Sequence, residues 1–344
     1  MNILAIDTSC DETSVAVTSE RRVISNVIFS QMLLHKKWGG VLPILAKRAH
    51  QERIDSVIDE ALKKAHLSME KIDYIAVTYG PGLAIALEVG IEKAQELASK
   101  YDKKIIPVNH MAGHIYSCFV QNSNGNPKRD FEFPYLALLI SGGHTELVLF
   151  KNHLDFKILG QTRDDAAGEA LDKAARLLGL GYPGGPAIER LAEEAGNRDY
   201  RQFPVPMRAS KDLDFSFSGL KTALLYYYRT LDEEQKVSQI KELASSFQET
   251  VFKSLLQKTE TAMKQTGVNR LVVGGGVAAN QYLRKLLRNL VNKYNGEVYF
   301  PTFKYLTGDN AAMIGVAAYY LAQEKMYVNA LTSITRVPRL VLTK

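Results

Sequence analysis

Apolar and polar positions open the chain in a hairpin pattern. Residues 2–6 form an apolar run, residues 7–13 a polar turn and residues 15–17 a second apolar run, as two antiparallel strands require. The same arrangement returns at residues 135–140, 141–145 and 147–150, so the chain reads as an internal duplication. Behind the first hairpin the periodicity predicts helices over residues 43–65 and 87–100 and strands over 72–78 and 104–108. Behind the second it predicts helices over 164–178, 186–195, 217–229, 233–265 and 278–291, with a strand over 270–273. Strand-then-helix order makes the inner strands parallel, while each hairpin adds antiparallel ones. The expected fold class is therefore α/β with a mixed sheet in each half.

A chain of 344 residues exceeds the size at which a single core keeps growing, so two lobes are expected. The stretch 122–134 lacks periodicity and holds two prolines, Gly125 and three asparagines, which places the boundary near residue 128. The expected lobes are 1–128 and 129–344, with the last helix and tail packing back on the first. Hydrophobic residues at 46% and charged residues at 23% sit in the globular range and leave no segment that needs to be disordered.

Charge adds a partner class. A net charge of +6 favours a polyanion, although a solvated basic surface has the same signature. The only cysteines are Cys10 and Cys118, too few for a disulfide framework, which fits a reducing compartment. No basic opening region or long apolar run is present, so a cytoplasmic location without membrane contact is expected.

Three turns that follow predicted strands are dense in small residues: DTSCDET at 7–13, SGGHT at 141–145 and GGGVAAN at 274–280. Glycine lets backbone N–H groups approach an anion, and small hydroxyls add donors without bulk, so such turns suit a phosphate. One such turn is ordinary turn chemistry. Three of them, two opening duplicated units, point to a nucleotide. The chain has no GxxxxGK[ST] and no GxGxxG after its first strand, which removes the P-loop and dinucleotide folds.

His110 and His114 in NHMAGH stand four residues apart, a spacing that puts both imidazoles on one face of a helix. They suit a metal, or are simply satisfied by hydrogen bonds. Met111 stands where a zinc protease carries its glutamate base, which disfavours that chemistry. A carboxylate from elsewhere must complete the site. Asp309 in TGDNAAMIG is the candidate, with the N-cap of the following helix as its alternative role.

With these motifs, and with HKKWGGVLP followed by Arg48 and His50, GPGL at 80–83, LLISGGHTELV, DDAAGEALDK, GYPGGP and DFSFSGLKTAL, the sequence resembles the tRNA N(6)-adenosine threonylcarbamoyltransferase family. That family, formerly described as O-sialoglycoprotein endopeptidases, has the two-lobed actin-like ASKHA fold, with a duplicated mixed-sheet core and a ligand cleft between lobes. By position the resemblance implies metal ligands His110, His114 and Asp309, with Fe2+ or Zn2+ as the ion. It implies substrate contacts from Leu139, Ile140, Ser141, Gly142, Gly143, Asp172, Gly185, Glu189 and Asn280. Asp11 and Glu12 would face the reacting group. The chain departs from the family pattern at Ile44, Lys47 and Ile85, which bears on the local surface and partner contacts.

The function so implied is transfer of a threonylcarbamoyl group from threonylcarbamoyl-AMP to the exocyclic amine of the tRNA adenosine 3′ to the anticodon, position 37, in tRNAs reading ANN codons. ATP or ADP would occupy the same cleft. The implied partners are tRNA, an adenylate-forming synthase and, in a bacterial setting, an inactive paralogue subunit (TsaB-like) and a small ATPase (TsaE-like). Lys36, Lys37, Trp38, Lys47 and Arg48 form a basic and aromatic stretch suited to a nucleic-acid backbone, or a plain solvated face. A small-molecule kinase of the same fold, or a non-catalytic nucleotide-binding subunit, would share the small-residue turns without needing the histidine pair.

Overall fold

A computed structural model describes residues 1–328 and 334–342. Contacts divide the chain into two compact units. The first is Met1–Glu132 with Asn152–Asp155 and Phe300–Lys344, and the second is Phe133–Lys151 with Phe156–Tyr299. The chain thus leaves the first unit after Glu132 and returns to it at Phe300, where the expectation drew one boundary near residue 128.

In the first unit, strands β1 (Asn2–Asp7), β2 (Glu12–Ser19), β3 (Arg22–Ser30), β4 (Tyr74–Gly80) and β5 (Lys104–Asn109) lie in the order β3-β2-β1-β4-β5. β1 runs antiparallel to β2, with Ile6 opposite Val15, and parallel to β4, with Ile6 opposite Val77. In the second unit, β6 (Tyr135–Ile140), β7 (Thr145–Asn152), β8 (Asp155–Gln161), β9 (Arg270–Gly274) and β10 (Glu297–Tyr299) lie in the order β10-β9-β6-β7-β8. Read from the other edge, that order repeats the first sheet strand for strand. The duplication seen in the two hairpins therefore extends to the whole sheet.

The opening hairpins fold as their paired apolar runs require. β1 and β2 are buried along almost their whole length, because helices cover both faces of the sheet. On one face Leu4, Ile6, Val15, Val17, Ile75 and Val77 pack with Ile54, Val57 and Ile58 of the helix Pro43–Ala65 and with Val89 and Ile91 of the helix Ala84–Tyr101. Each such side chain contributes about 1.5–3 kcal/mol by leaving water. The helix Ala311–Gln323 packs against β1 and β2. Its sequence AAMIGVAAYYLAQ is apolar nearly all round, which suits a helix with no face left for solvent.

The structure departs from the sequence reading in places. The expected helix over 233–265 is interrupted at Gln239 into Glu233–Ser238 and Ile240–Thr266. The first piece is set off by a capping box between Asp232 and Gln235, which satisfies that terminus on its own. The expected helix over 278–291 starts at Gln281, because Gly276–Ala279 forms a 3₁₀ turn and Asn280 takes the N-cap. Three edge or outer strands, β3, β8 and β10, were not expected. Among the described residues no helix is long and apolar enough to cross a membrane.

Candidate functional site

Two groups of side chains, one in each unit, gather the residues singled out above. The first begins where β5 ends. Asn109 accepts from the backbone N–H groups of Met111 at 2.8 Å and Ala112 at 3.4 Å, so its side chain caps the short helix His110–Tyr116 and starts it at His110. One turn later, His114 falls on the same face. The helix is buried throughout. Gly113 allows this, since a Cβ there would meet Ile314 Cδ1 at 2.9 Å, and the close approach draws in the helix Ala311–Gln323.

That second helix supplies the carboxylate. Its N-cap is Asn310, whose Oδ1 accepts from Met313 N at 3.0 Å. The capping role considered for Asp309 therefore belongs to its neighbour, and Asp309 turns toward the histidines instead. Its Oδ1 lies 3.3 Å from His110 Nε2 and 3.3 Å from His114 Nε2. One ligand atom from each of the three residues falls within 4.8 Å of the others, a group that can hold a metal ion.

The surroundings suit that use. His114 Nδ1 is buried without a hydrogen bond, and Nε2 has only the Asp309 carboxylate, 3.3 Å away and outside hydrogen-bond geometry, a costly state for polar atoms that a coordinated cation would relieve. Burial holds the His114 ring below its ordinary pKa, in the neutral form a metal requires, with the neighbouring His110 acting in the same direction. Burial also pulls His110 down, but the Asp309 and Asp7 carboxylates reverse this and raise it to about 10. For Asp309, burial pushes the carboxyl up, and the two imidazoles more than offset it, leaving it well below the usual range. The other nitrogen of His110 is held from behind. Its Nδ1 lies 3.2 Å from Ser9 Oγ and 3.6 Å from Asp7 Oδ2, the arrangement that fixes a ligand imidazole's orientation.

Asp7 and Ser9 were not singled out as partners of His110. They come from the DTSCDET turn, about a hundred residues upstream, and no local spacing links the two. The same turn carries Asp11 and Glu12. The Glu12 carboxyl is pushed up to about 10, first by burial and then by the Asp11 and Asp309 carboxylates.

The second group lies in the second unit, around a cavity of about 170 Å³ lined by Gly142, Gly168, Asp172, Gly185, Glu189 and Asn280, among others. Asp172 Oδ1 accepts from Gly184 N at 2.7 Å and Gly185 N at 3.0 Å, so it caps the helix Gly184–Glu194. Glu189 Oε1 accepts from Gln281 N at 2.8 Å. Asn280 Oδ1 accepts from Leu283 N at 2.9 Å, and its Nδ2 donates to Gln248 Oε1 at 3.0 Å. Burial raises both Asp172 and Glu189 above the usual carboxylate range.

These bonds change the sequence picture of where an anion would sit. The first N–H of the helix after the GGGVAAN turn already faces the Glu189 carboxylate, so that terminus does not present itself to a phosphate. Leu139 and Ile140 are fully buried in β6, with Leu139 paired to β7 on one side and β9 on the other, so the exposed part of this stretch begins at Ser141. Ser141 Oγ accepts from Gly143 N at 3.3 Å and His144 N at 3.0 Å, which shapes the turn. A Cβ placed on Gly142, Gly143 or Gly185 would meet nothing within 4 Å, so these backbones are open to approach. The departures lie in the first unit: Ile44 is exposed and Lys47 pairs with Glu88 at 3.4 Å.

Comparison with known proteins adds a family to this geometry. A family model described as tRNA N6-adenosine threonylcarbamoyltransferase matches residues 22–316. A protein of that name from Thermosipho africanus (strain TCF52B) is 46% identical over 340 residues, covering 99% of each chain. Another from Staphylococcus epidermidis (strain ATCC 12228 / FDA PCI 1200) is 48% identical over 322 residues, 93% of this chain and 92% of that one. Among solved structures, HypF from T. kodakarensis matches with a TM-score of 0.62 at 15% identity, over 94% of this chain and 48% of that one. Full-length HypF in its phosphate- and nucleotide-bound form matches with a TM-score of 0.60 at 15% identity, over 94% and 46%. At such identity the likeness is one of fold, the actin-like ASKHA fold with its duplicated mixed sheet.

Proposed function

The chain belongs to the tRNA N6-adenosine threonylcarbamoyltransferase family and is an enzyme of that class, and on that premise we propose that it transfers threonylcarbamoyl from threonylcarbamoyl-AMP to the exocyclic amine of adenosine 37 in tRNAs reading ANN codons. The observation that carries the reading is the meeting of His110, His114 and Asp309 within 4.8 Å, a donor set that a kinase of this fold has no use for. In the transfer, the amine nitrogen bonds to the carbamoyl carbon and the bond from that carbon to the phosphate oxygen breaks. AMP leaves with the electron pair and the amine loses a proton. The donor is already activated, so positioning and electrostatics suffice without a protein nucleophile.

The residues divide the work. Asp172 and Glu189 are acceptors suited to ribose hydroxyls, and Asn280 stands with them beside the base. Ser141 to Gly143, at the end of the strand that carries Leu139 and Ile140, offer backbone to the phosphate, with Gly185 lining the same cavity as Gly142, and ATP or ADP binds there in place of the adenylate. His110, His114 and Asp309 would hold a divalent cation, Fe2+ first and Zn2+ as the alternative, which would supply Lewis-acidic positive charge to the transfer. Asp11 or Glu12 steers the amine or accepts its proton.

The acceptor adenosine sits in an unpaired loop, reachable without opening a duplex. Lys47 and Arg48 are engaged with Glu88 and Glu52, which leaves Lys36, Lys37 and Trp38 as the exposed stretch for tRNA. Trp38 is 61% exposed, with Lys37 Nζ 6.0 Å from its ring centre, a pairing suited to a base and its phosphate. The chain acts in the cytoplasm, with an adenylate-forming synthase upstream and an inactive paralogue and a small ATPase as companions. The test is incubation of the purified chain with threonylcarbamoyl-AMP and unmodified tRNA, with and without those companions, followed by nucleoside analysis. Threonylcarbamoyladenosine in the digest supports the proposal, and its absence under every combination ends it.

A further inference from the structure

We infer that His50 is a positioning residue for the transfer, one imidazole that grips the Asp11 and Glu12 turn from both sides; the inference rests on the reading just given. His50 lies in the helix Pro43–Ala65 and is fully buried. Its Nε2 lies 3.1 Å from the Cys10 carbonyl oxygen and its Nδ1 lies 2.8 Å from Thr13 Oγ1. Cys10 and Thr13 are the residues on either side of the two acids.

The chemistry of the partners fixes the tautomer. A carbonyl oxygen only accepts, so Nε2 carries the proton and donates to Cys10. The neutral ring's Nδ1 then accepts from the Thr13 hydroxyl. Burial keeps the ring neutral, holding it below its ordinary pKa despite the Cys10 carbonyl and nearby carboxylates. Both nitrogens are thus committed to the turn, and neither is left for substrate.

The grip continues outward. Gln31 Nε2 lies 3.2 Å from the same His50 Nδ1, and Gln31 Oε1 lies 3.2 Å from His35 Nε2. His35 Nδ1 accepts from Leu42 N at 3.3 Å, and Gln31 N donates to the Asp11 carbonyl at 2.9 Å. Thr13, Gln31, His35 and His50 are all fully buried. This chain of polar groups ties the acidic turn to residues 31–42, whose outer side carries the exposed Lys36, Lys37 and Trp38. An apolar filling could pack here without tying the turn to these partners, so what the polar string adds is a fixed position for the turn.

A displacement of about 1 Å at reacting groups costs on the order of 10²-fold in rate, so the loss should fall on kcat rather than on binding. The experiment is a steady-state transfer assay with threonylcarbamoyl-AMP and unmodified tRNA, companions included, on the full-length wild type, H50A, H50Q and T13V, each with its metal content measured. Gln can place an N–H where Nε2 stood and so keep the Cys10 contact. The expected result is a 10- to 100-fold fall in kcat for H50A, on the order given by that misplacement cost, with both KM values and the metal content unchanged. H50Q should recover a large part of the loss. H50A at the wild-type kcat, a loss explained by metal content or KM, or H50Q as impaired as H50A would overturn the inference. Should H50A fail to fold, T13V decides: lower kcat at unchanged KM supports the grip, and wild-type kcat overturns it. A wild type that forms no product defeats the transfer reading itself, a result separate from any difference among variants.

Discussion

Replacing His114 with leucine should change the stability of the chain in opposite directions with and without metal. The imidazole is fully buried, its Nδ1 has no hydrogen-bond partner, and its Nε2 faces only the Asp309 carboxylate, 3.3 Å away and outside hydrogen-bond geometry. An unsatisfied buried polar group costs about 1–3 kcal/mol, and leucine fills a similar volume without that cost. In a chelating buffer, His114→Leu is therefore expected to match the wild type or exceed it by about 1–2 kcal/mol. For a unit of this size each kcal/mol is about 2–4 °C in Tm. In the presence of Zn2+ or Fe2+ the order should reverse. A ligand at 100 times its Kd stabilises the state it binds by about 2.7 kcal/mol, and the variant, left with His110 and Asp309, should lose most of that increment. Thermal and urea unfolding of both proteins, in chelator and with added metal, measure the crossing. A variant destabilised by several kcal/mol in chelator would refute the reasoning by showing that the imidazole is satisfied without metal, and one that keeps the full metal increment would show that His114 is not a ligand.

Two further outcomes test the second unit. Glu146 on β7 is buried, its Oε2 has no hydrogen bond, and burial raises its carboxyl from 4.5 to about 7. Below 4.5 both folded and unfolded chains hold the proton and no penalty arises; as pH rises toward 7 the unfolded chain releases it first, so stability falls by about 3 kcal/mol and then levels off. Glu146→Gln should remove that slope, so urea unfolding at pH 4 and pH 8 should show the variant gaining on the wild type only at the higher pH; an equal difference at both sinks the assignment. Gly275 has φ of +93° and a Cβ there would stand 2.4 Å from the Ile140 carbonyl oxygen, so Gly275→Ala should cost about 1–3 kcal/mol or more of stability; wild-type urea unfolding would show that the GGGVAAN turn is not held against β6 as described.

Much of this was legible in the sequence, for local reasons. The hairpins at 2–17 and 135–150 show in the alternation because each strand is bounded by a turn of small residues. The helix Pro43–Ala65 carries its own start in Pro43, and it ends at His66 with φ of +53°. β10 has only three residues, too few for a period, and β3, at a sheet edge, alternates in burial but not in residue type, since Ile24 and Ile28 are apolar at its less buried positions. The pair His110 and His114 shows as a spacing, whereas the support from Asp7 and Ser9 is a product of topology. β1 and β5 flank β4 and both run parallel to it, so their C-terminal ends lie at the same edge of the sheet although the residues are far apart in the chain. The same is true of His50, visible as a motif residue but understood only once its ring is seen bridging Cys10 and Thr13.

The central claim is that this chain moves a threonylcarbamoyl group onto one nitrogen of one tRNA adenosine. The most direct measurement uses donor labelled in its threonine carbon, with tRNA carrying either adenosine or guanosine at position 37, and follows label and AMP together. The account requires label in the adenosine 37 nucleoside, one AMP released for each group transferred, and no labelled nucleoside from the guanosine tRNA. Release of AMP with no label in the RNA, or equal labelling of both tRNAs, would contradict it.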